Sequence, residues 1–262
     1  MFTEPLLIAH YSLLNEMTYI YNYPPLISGT LIKRYKRFLA DIELATGEII
    51  TAHCPNTGPM TGVCTPESSV LISKSDNPKR KLAYTWEAIL VDNTWVGINT
   101  ALPNRVIKSA LQQQLLPELA GRYTKVRSEV PYGKDKKSRI DFVLTGNDDQ
   151  LPLYVEVKNV TLSEGNLALF PDTVTTRGQR HLQELMALLP AAKPVMLYFI
   201  NRSDCDKFAP SDRCDPQYAQ LLRQAAAMGV EILPYRFEIT PQGINYLGLA
   251  ELVLDRPSEV IK

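Results

Sequence analysis

Charges set inside two short β-branched runs constrain this chain more than any other feature. Arg139-Ile140-Asp141-Phe142-Val143-Leu144 is followed, after a turn, by Val155-Glu156-Val157-Lys158-Asn159-Val160. Both runs read as strands buried on at least one face, so Asp141, Glu156 and Lys158 stand where apolar residues are expected. Side chains alternate along a strand, which puts Glu156 and Lys158 on one face and Val155 and Val157 on the other. If the two strands are neighbours, two carboxylates and an ammonium meet at one sheet edge. Those are the parts needed to hold Mg²⁺ (or Mn²⁺) and a water beside a phosphodiester. An acid-x-Lys triplet alone is weak evidence, since Asp135-Lys136-Lys137 matches it in a polar loop and a Glu–Lys pair can simply sit on a solvated face. The apolar flanks, the second acid and the basic helix that follows favour the functional reading.

That helix is expected over residues 175–189 and begins Thr175-Thr176-Arg177-Gly178-Gln179-Arg180-His181-Leu182. Arg177 lies one turn from both Arg180 and His181, and donors at a helix N-terminus suit a phosphate. Leu182, Leu185, Met186 and Leu189 form an apolar stripe on the other side. The remaining elements change character along the chain. Residues up to about Pro25 read as irregular, with Met17 a candidate alternative start to Met1. From residue 27 to about 100 the pattern is short strands and turns (29–33, 38–44, 70–73, 95–99), suggesting a small antiparallel barrel of oligonucleotide-binding type. Asn104 caps an expected helix to about Leu116. Strands near 128–130, 139–144 and 153–160 follow, then helices at 175–189 and 217–228 between strands at 195–200, 230–232 and 235–239. The tail after Leu254 reads as frayed. The expected fold is therefore a two-domain α+β or α/β chain: an irregular extension over 1–25, a barrel over 26–100, and a mixed sheet flanked by helices over 101–262.

The formal net charge is zero, so any basic surface is local and balanced elsewhere. Lys33-Arg34-Tyr35-Lys36-Arg37 is one cluster, and Arg122, Lys125, Arg127, Lys134, Lys136, Lys137 and Arg139 form another. Tyr35, Phe38, Tyr84 and Trp86 either stack on bases or fill the barrel. The loop from His53 to Gly62 either cradles a phosphate, with Asn56 and Thr57 as donors, or is a tight connection. It lacks the Lys-Ser/Thr ending of a nucleotide-binding P-loop. Cys54, Cys64, Cys205 and Cys214 have no zinc spacing, and free thiols are expected. With no signal peptide or membrane-length apolar run, the expected location is the cytoplasm.

Asp141 with Glu156-Val157-Lys158 resembles the core of the PD-(D/E)xK nucleases, with Ile140 in place of the customary Pro. The wider chain resembles the bacterial sugar fermentation stimulation protein A family. The residues that carry this are the run Leu31 to Asp41, His53-Cys54-Pro55-Asn56-Thr57-Gly58, Ser138-Arg139-Ile140-Asp141-Phe142, Phe170-Pro171-Asp172 and Arg177 to Leu182. The resemblance implies a barrel of oligonucleotide-binding type joined to a nuclease-like domain, sequence-non-specific DNA binding, and a regulatory link to maltose metabolism. It departs in one respect: nuclease cores often carry a Glu on the first helix, where this chain has Ser109 and Gln112 to Gln114, and Glu129 can substitute.

The expected roles follow. Asp141, Glu156 and Glu129 hold the metal with the Val157 carbonyl, and Lys158 orients the water. Gln179 or Arg177 grips a neighbouring phosphate. DNA, single- or double-stranded, contacts Lys33, Arg34, Lys36, Arg37, Asn56, Thr57, Arg139, Arg177 and Arg180. A homodimer is left open, and no membrane partner is expected. The alternative is a non-catalytic DNA-binding protein on an inherited nuclease fold. No helix-turn-helix, finger or basic zipper is present, so base-specific readout is not expected.

Overall fold

The computed structural model describes residues 19–133, 138–146 and 150–255. Both candidate starts, the Asp135-Lys136-Lys137 triplet, Lys134 and most of the tail lie outside them. After β1 (Tyr21–Asn22) come β2 (Leu26–Tyr35), β3 (Leu39–Leu44), β4 (Ile49–His53), β5 (Ser69–Lys74), β6 (Tyr84–Val91) and β7 (Thr94–Gly97). They run in the spatial order β4-β3-β2-β5-β6-β7, and a β4–β6 pairing closes β2 to β6 into a five-stranded barrel. Closure removes the exposed edges that an open sheet of this size would carry. Its interior holds Leu31, Ile42, Val70, Ile72, Trp86 and Ile89.

The second domain opens with α1 (Leu102–Gln112), β8 (Lys125–Tyr132), β9 (Ser138–Thr145) and β10 (Leu153–Val160). It continues through β11 (Leu162–Glu164), β12 (Leu167–Phe170), α2 (Thr176–Met186), β13 (Lys193–Ile200) and β14 (Lys207–Pro210). The last elements are α3 (Pro216–Met228), β15 (Glu231–Ile239), β16 (Gly243–Leu249) and β17 (Glu251–Leu252). The large sheet has the order β1-β16-β15-β13-β10-β9-β8, with β10, β13 and β15 parallel. One face packs on α1 through Leu102, Val106, Ile107 and Leu111. The other packs on α2 and α3 through Leu182, Leu185, Tyr218 and Leu222. Both faces of the central strands are therefore covered, as parallel strands require. A second, four-stranded sheet, β11-β12-β14-β17, lies beside it.

Several expectations change. The extension is not irregular through Pro25, because Tyr21–Asn22 adds an antiparallel strand to β16. Asn104 is not the cap of α1: Ala101 is, and Pro103 sits in the first turn, where a missing N–H costs nothing. That helix ends at Gln112, and α2 ends at Met186 rather than 189. Residues 231–239 form one strand despite Pro234, not two. Trp86 is fully buried in the barrel with its indole N–H on the Ala88 carbonyl, so it fills rather than stacks. Phe38 stays 46% exposed.

Candidate metal and phosphodiester site

The site forms where β9 parts from β10. The two strands pair at Leu153↔Leu144, Tyr154↔Val143 and Val155↔Phe142, and β10 then continues only against β13. The Val157 N–H loses its ladder partner at the divergence and must find another. The Asp141 carboxylate reaches across, its Oδ2 accepting that N–H at 2.7 Å. Its Oδ1 accepts from Asn104 Nδ2 on α1 at 2.7 Å. Glu156 and Lys158 project from one face of β10, as alternation predicts, with Lys158 Nζ donating to Glu156 Oε1 at 2.7 Å.

His181, on α2, completes the cluster. Arg177, one turn earlier, donates its Nε to His181 Nε2 at 3.3 Å. Accepting there uses the Nε2 lone pair, while Nδ1 contacts the same Glu156 Oε1 and lies 3.1 Å from Lys158 Nζ. Glu156 Oε1 therefore receives both the imidazole and the ammonium. Its other oxygen, Oε2, is buried with no hydrogen-bond partner among the described residues, as is the nearby Tyr132 hydroxyl. A buried acceptor left unpaired is costly unless something fills the space beside it.

The two carboxyls respond oppositely. Burial, then the adjacent Glu156 charge, pushes Asp141 up to about 6, despite the Val157 and Asn104 hydrogen bonds. Burial also pushes Glu156 up, but the His181 hydrogen bond and the Lys158 ammonium outweigh it and hold the group below the usual carboxylate range. This has a consequence for stability. The folded chain keeps a proton on Asp141 that the unfolded chain, with the ordinary value of 3.8, gives up. That contribution is complete below about pH 4 and lost as pH rises through about 6, so ionised Asp141 costs on the order of 3 kcal/mol at neutrality. Asp141→Asn is therefore expected to raise the melting temperature by roughly 5 °C or more at pH 7 in chelator, and to leave it nearly unchanged at pH 4. Equal shifts at both pH values would refute the assignment.

The other expected residues are placed as follows. Glu129 falls between the Ser128↔Phe142 and Val130↔Ile140 pairs, in the left-handed region (φ 53°), with an exposed side chain. Its carbonyl accepts from exposed Arg139 at 3.1 Å. Gln179 turns to Asp215, the cap of α3, at 2.9 and 3.0 Å, and so ties α2 to α3. Arg34 is spent on the carbonyls of Arg37, Asn56 and Gly58, pinning the loop to β2. Asn56 is buried and caps its own turn at Gly58 N–H, while Thr57 is exposed and its carbonyl accepts from Arg37. Lys33, Lys36, Arg37, Arg177 and Arg180 are exposed, with Lys33 3.6 Å from Asp41 and Arg180 3.9 Å from Glu184. The sequence reading missed the roles of His181, Asn104 and Tyr132. The Arg177–His181 spacing was the available signal for the first, and nothing local marked the others.

Among the described residues no three His, Cys, Asp or Glu side chains are grouped as a ready metal cage. No helix among them is long and apolar enough to cross a membrane.

An oligonucleotide-binding barrel joined to a restriction endonuclease-like domain, with an acid pair and a lysine at the strand divergence, defines the class of protein. Residues 32–98 match the family model "SfsA N-terminal OB domain", and residues 101–243 match "Sugar fermentation stimulation protein RE domain". The chain belongs to the sugar fermentation stimulation protein family. It is 71% identical over 234 residues to the sugar fermentation stimulation protein homolog of Crocosphaera subtropica, covering 89% of this chain and 98% of that one. The homolog of Rippkaea orientalis is 70% identical over 234 residues, covering 89% and 97%. Among solved structures, Pyrococcus furiosus SfsA in complex with Ca²⁺ superposes with a TM-score of 0.79 at 25% identity, covering 90% of this chain and 99% of that one.

Proposed function

We propose that this chain binds DNA with little sequence preference and carries a divalent-cation-dependent phosphodiesterase site at Asp141, Glu156 and Lys158. The observation that supports it most is the bare, buried Glu156 Oε2 beside a second carboxyl that burial has pushed up. Two hard oxygen donors and the Val157 carbonyl fit Mg²⁺ or Mn²⁺, which keeps waters and substrate oxygens in the remaining positions. The Ca²⁺ in the Pyrococcus relative supports a divalent site in this fold. When bound, such an ion supplies charge neutralisation at the phosphate and lowers the pKa of a water. This chain's own residues do the rest. Lys158 offsets negative charge developing at phosphorus, and His181 and Asn104 hold Glu156 and Asp141 in place. Arg177 and Arg180, at the start of α2, offer exposed donors to a flanking phosphate.

A second reading, DNA binding without cleavage, is favoured by one feature. Asn104 occupies the α1 position beside Asp141 where a further acid would strengthen cation binding. Calorimetric titration with Mg²⁺ or Mn²⁺ separates the two. Binding in the wild type that is lost in Glu156→Gln is expected; no binding by either at millimolar ion would leave only the second reading. On both readings phosphates dominate affinity, so DNA affinity is expected to fall at least about tenfold between roughly 50 and 200 mM salt, alike for unrelated competitor sequences. A strong preference for one sequence at high salt would contradict this.

A further inference from the structure

Between the two domains lies a cavity of about 90 Å³ that the cluster does not use. The barrel loop contributes Asn56, and the second domain contributes Asn159, Thr161, Phe170 and Asp172. Two of these polar residues are more than nine-tenths buried, Asn56 at 8% and Thr161 at 7% exposure. Asn56 Oδ1 accepts the Gly58 N–H at 2.9 Å and Asn159 Oδ1 accepts from Asn201 at 3.0 Å. Both side-chain NH₂ groups, and the Thr161 hydroxyl, are left without a protein acceptor among the described residues. Asp172 adds an acceptor: a Cβ built on Gly58 would lie 3.4 Å from its carboxylate, in ordinary van der Waals contact, so the loop runs directly beside it.

We propose that this cavity is a base subsite, receiving the hydrogen-bonding edge of one nucleobase unstacked from the strand held at the cluster. No Lys or Arg lines it, so it is not built for a phosphate. Amide donors, a carboxylate acceptor and one aromatic ring are the means by which proteins read an unstacked base. The cavity lies at the end of β10, where Asn159 alternates to the face opposite Lys158, and Asp172 leads into α2, which carries Arg177 and His181. On the rim, exposed Arg37 is fixed to the Thr57 carbonyl at 3.0 Å, beside Lys36, where the attached backbone phosphates would pass. The inference rests on the DNA-binding reading and narrows its substrate to strands with a single-stranded or splayed nucleotide.

The test measures binding of the full-length chain, in chelator, to single-stranded homopolymer decamers of each base and to a matched duplex. Asn56→Ser keeps an oxygen for the Gly58 N–H and removes the amide donor; Thr161→Val removes a hydroxyl at nearly constant shape. Each is expected to weaken the preferred decamer about tenfold and to leave duplex affinity unchanged. Salt-sensitive binding of the duplex by the wild type, in the same assay, tests the DNA-binding reading by itself, so its failure stays separable from a failure of the subsite. Unchanged single-strand affinity in both cavity variants overturns the proposal. So does competition of decamer binding by maltose, which would assign the cavity to a sugar.

Discussion

Lys158→Ala is expected to lower divalent-dependent DNA cleavage by about 10²–10³-fold while leaving DNA affinity within about twofold. The Lys158 side chain is only 14% exposed and its ammonium sits 2.7 Å from Glu156 Oε1, so it contributes little to attracting a polyanion from solution. Its charge matters at short range, where water is excluded and an unscreened positive group stabilises charge building on the phosphate. The fold should tolerate the change, because Glu156 keeps His181 as a partner. Gel-based cleavage and fluorescence anisotropy on the same preparation check both halves. Parallel losses of cleavage and binding would show a Lys that merely holds DNA, and undiminished cleavage would remove it from the chemistry.

Gly97→Ala is expected to cost about 3 kcal/mol and to lower the melting temperature by roughly 5–10 °C. Gly97 ends β7 and donates its N–H to the Asn201 carbonyl at 2.9 Å, joining the barrel to the end of β13. A Cβ there would lie 2.1 Å from Asn201 Oδ1 and within 2.5 Å of the rest of that amide. Asn201 is 2% exposed and bonded to Asn159, so it cannot turn aside without breaking a buried hydrogen bond. Thermal unfolding monitored by circular dichroism measures the effect, and a shift under about 2 °C would show that the junction yields easily. Because Asn159 lines the inter-domain cavity, the variant is also expected to disturb that pocket while sparing the Asp141–Glu156 pair.

The parts of the molecule that local chemistry determines were readable from sequence. The bounds of β10, 153–160, follow from a β-branched run, and the charges within it led directly to Glu156 and Lys158. Helix α3 was equally plain, ending at Gly229 in the left-handed conformation that Gly permits. What escaped depends on partners far along the chain. The sheet of β11, β12, β14 and β17 consists of very short strands with no sustained alternation, and beyond the local β11–β12 hairpin it is held by pairing between segments that are distant in sequence. Strands β4 and β6 escaped for the same reason, since barrel closure rather than propensity defines their register. At the site, Arg34 and Gln179 have the chemistry of phosphate ligands, yet one serves loop carbonyls and the other an N-cap carboxylate. His181 reads as one basic residue on a helix face until β10 places Glu156 beneath it. Residue type indicated which chemistry was available, and only the strand divergence at Asp141 showed which groups share it.

The most direct test of the central claim is incubation of end-labelled linear duplex, single-stranded and branched DNA with the wild type, with and without Mg²⁺ or Mn²⁺. Asp141→Asn is run alongside, because it keeps an acceptor for the Val157 N–H and removes the charge. Cutting that requires the ion and disappears in the variant is the predicted result. Binding of every substrate with no ion-dependent cutting of any would contradict the phosphodiesterase assignment and leave a DNA-binding protein whose buried acid pair is structural.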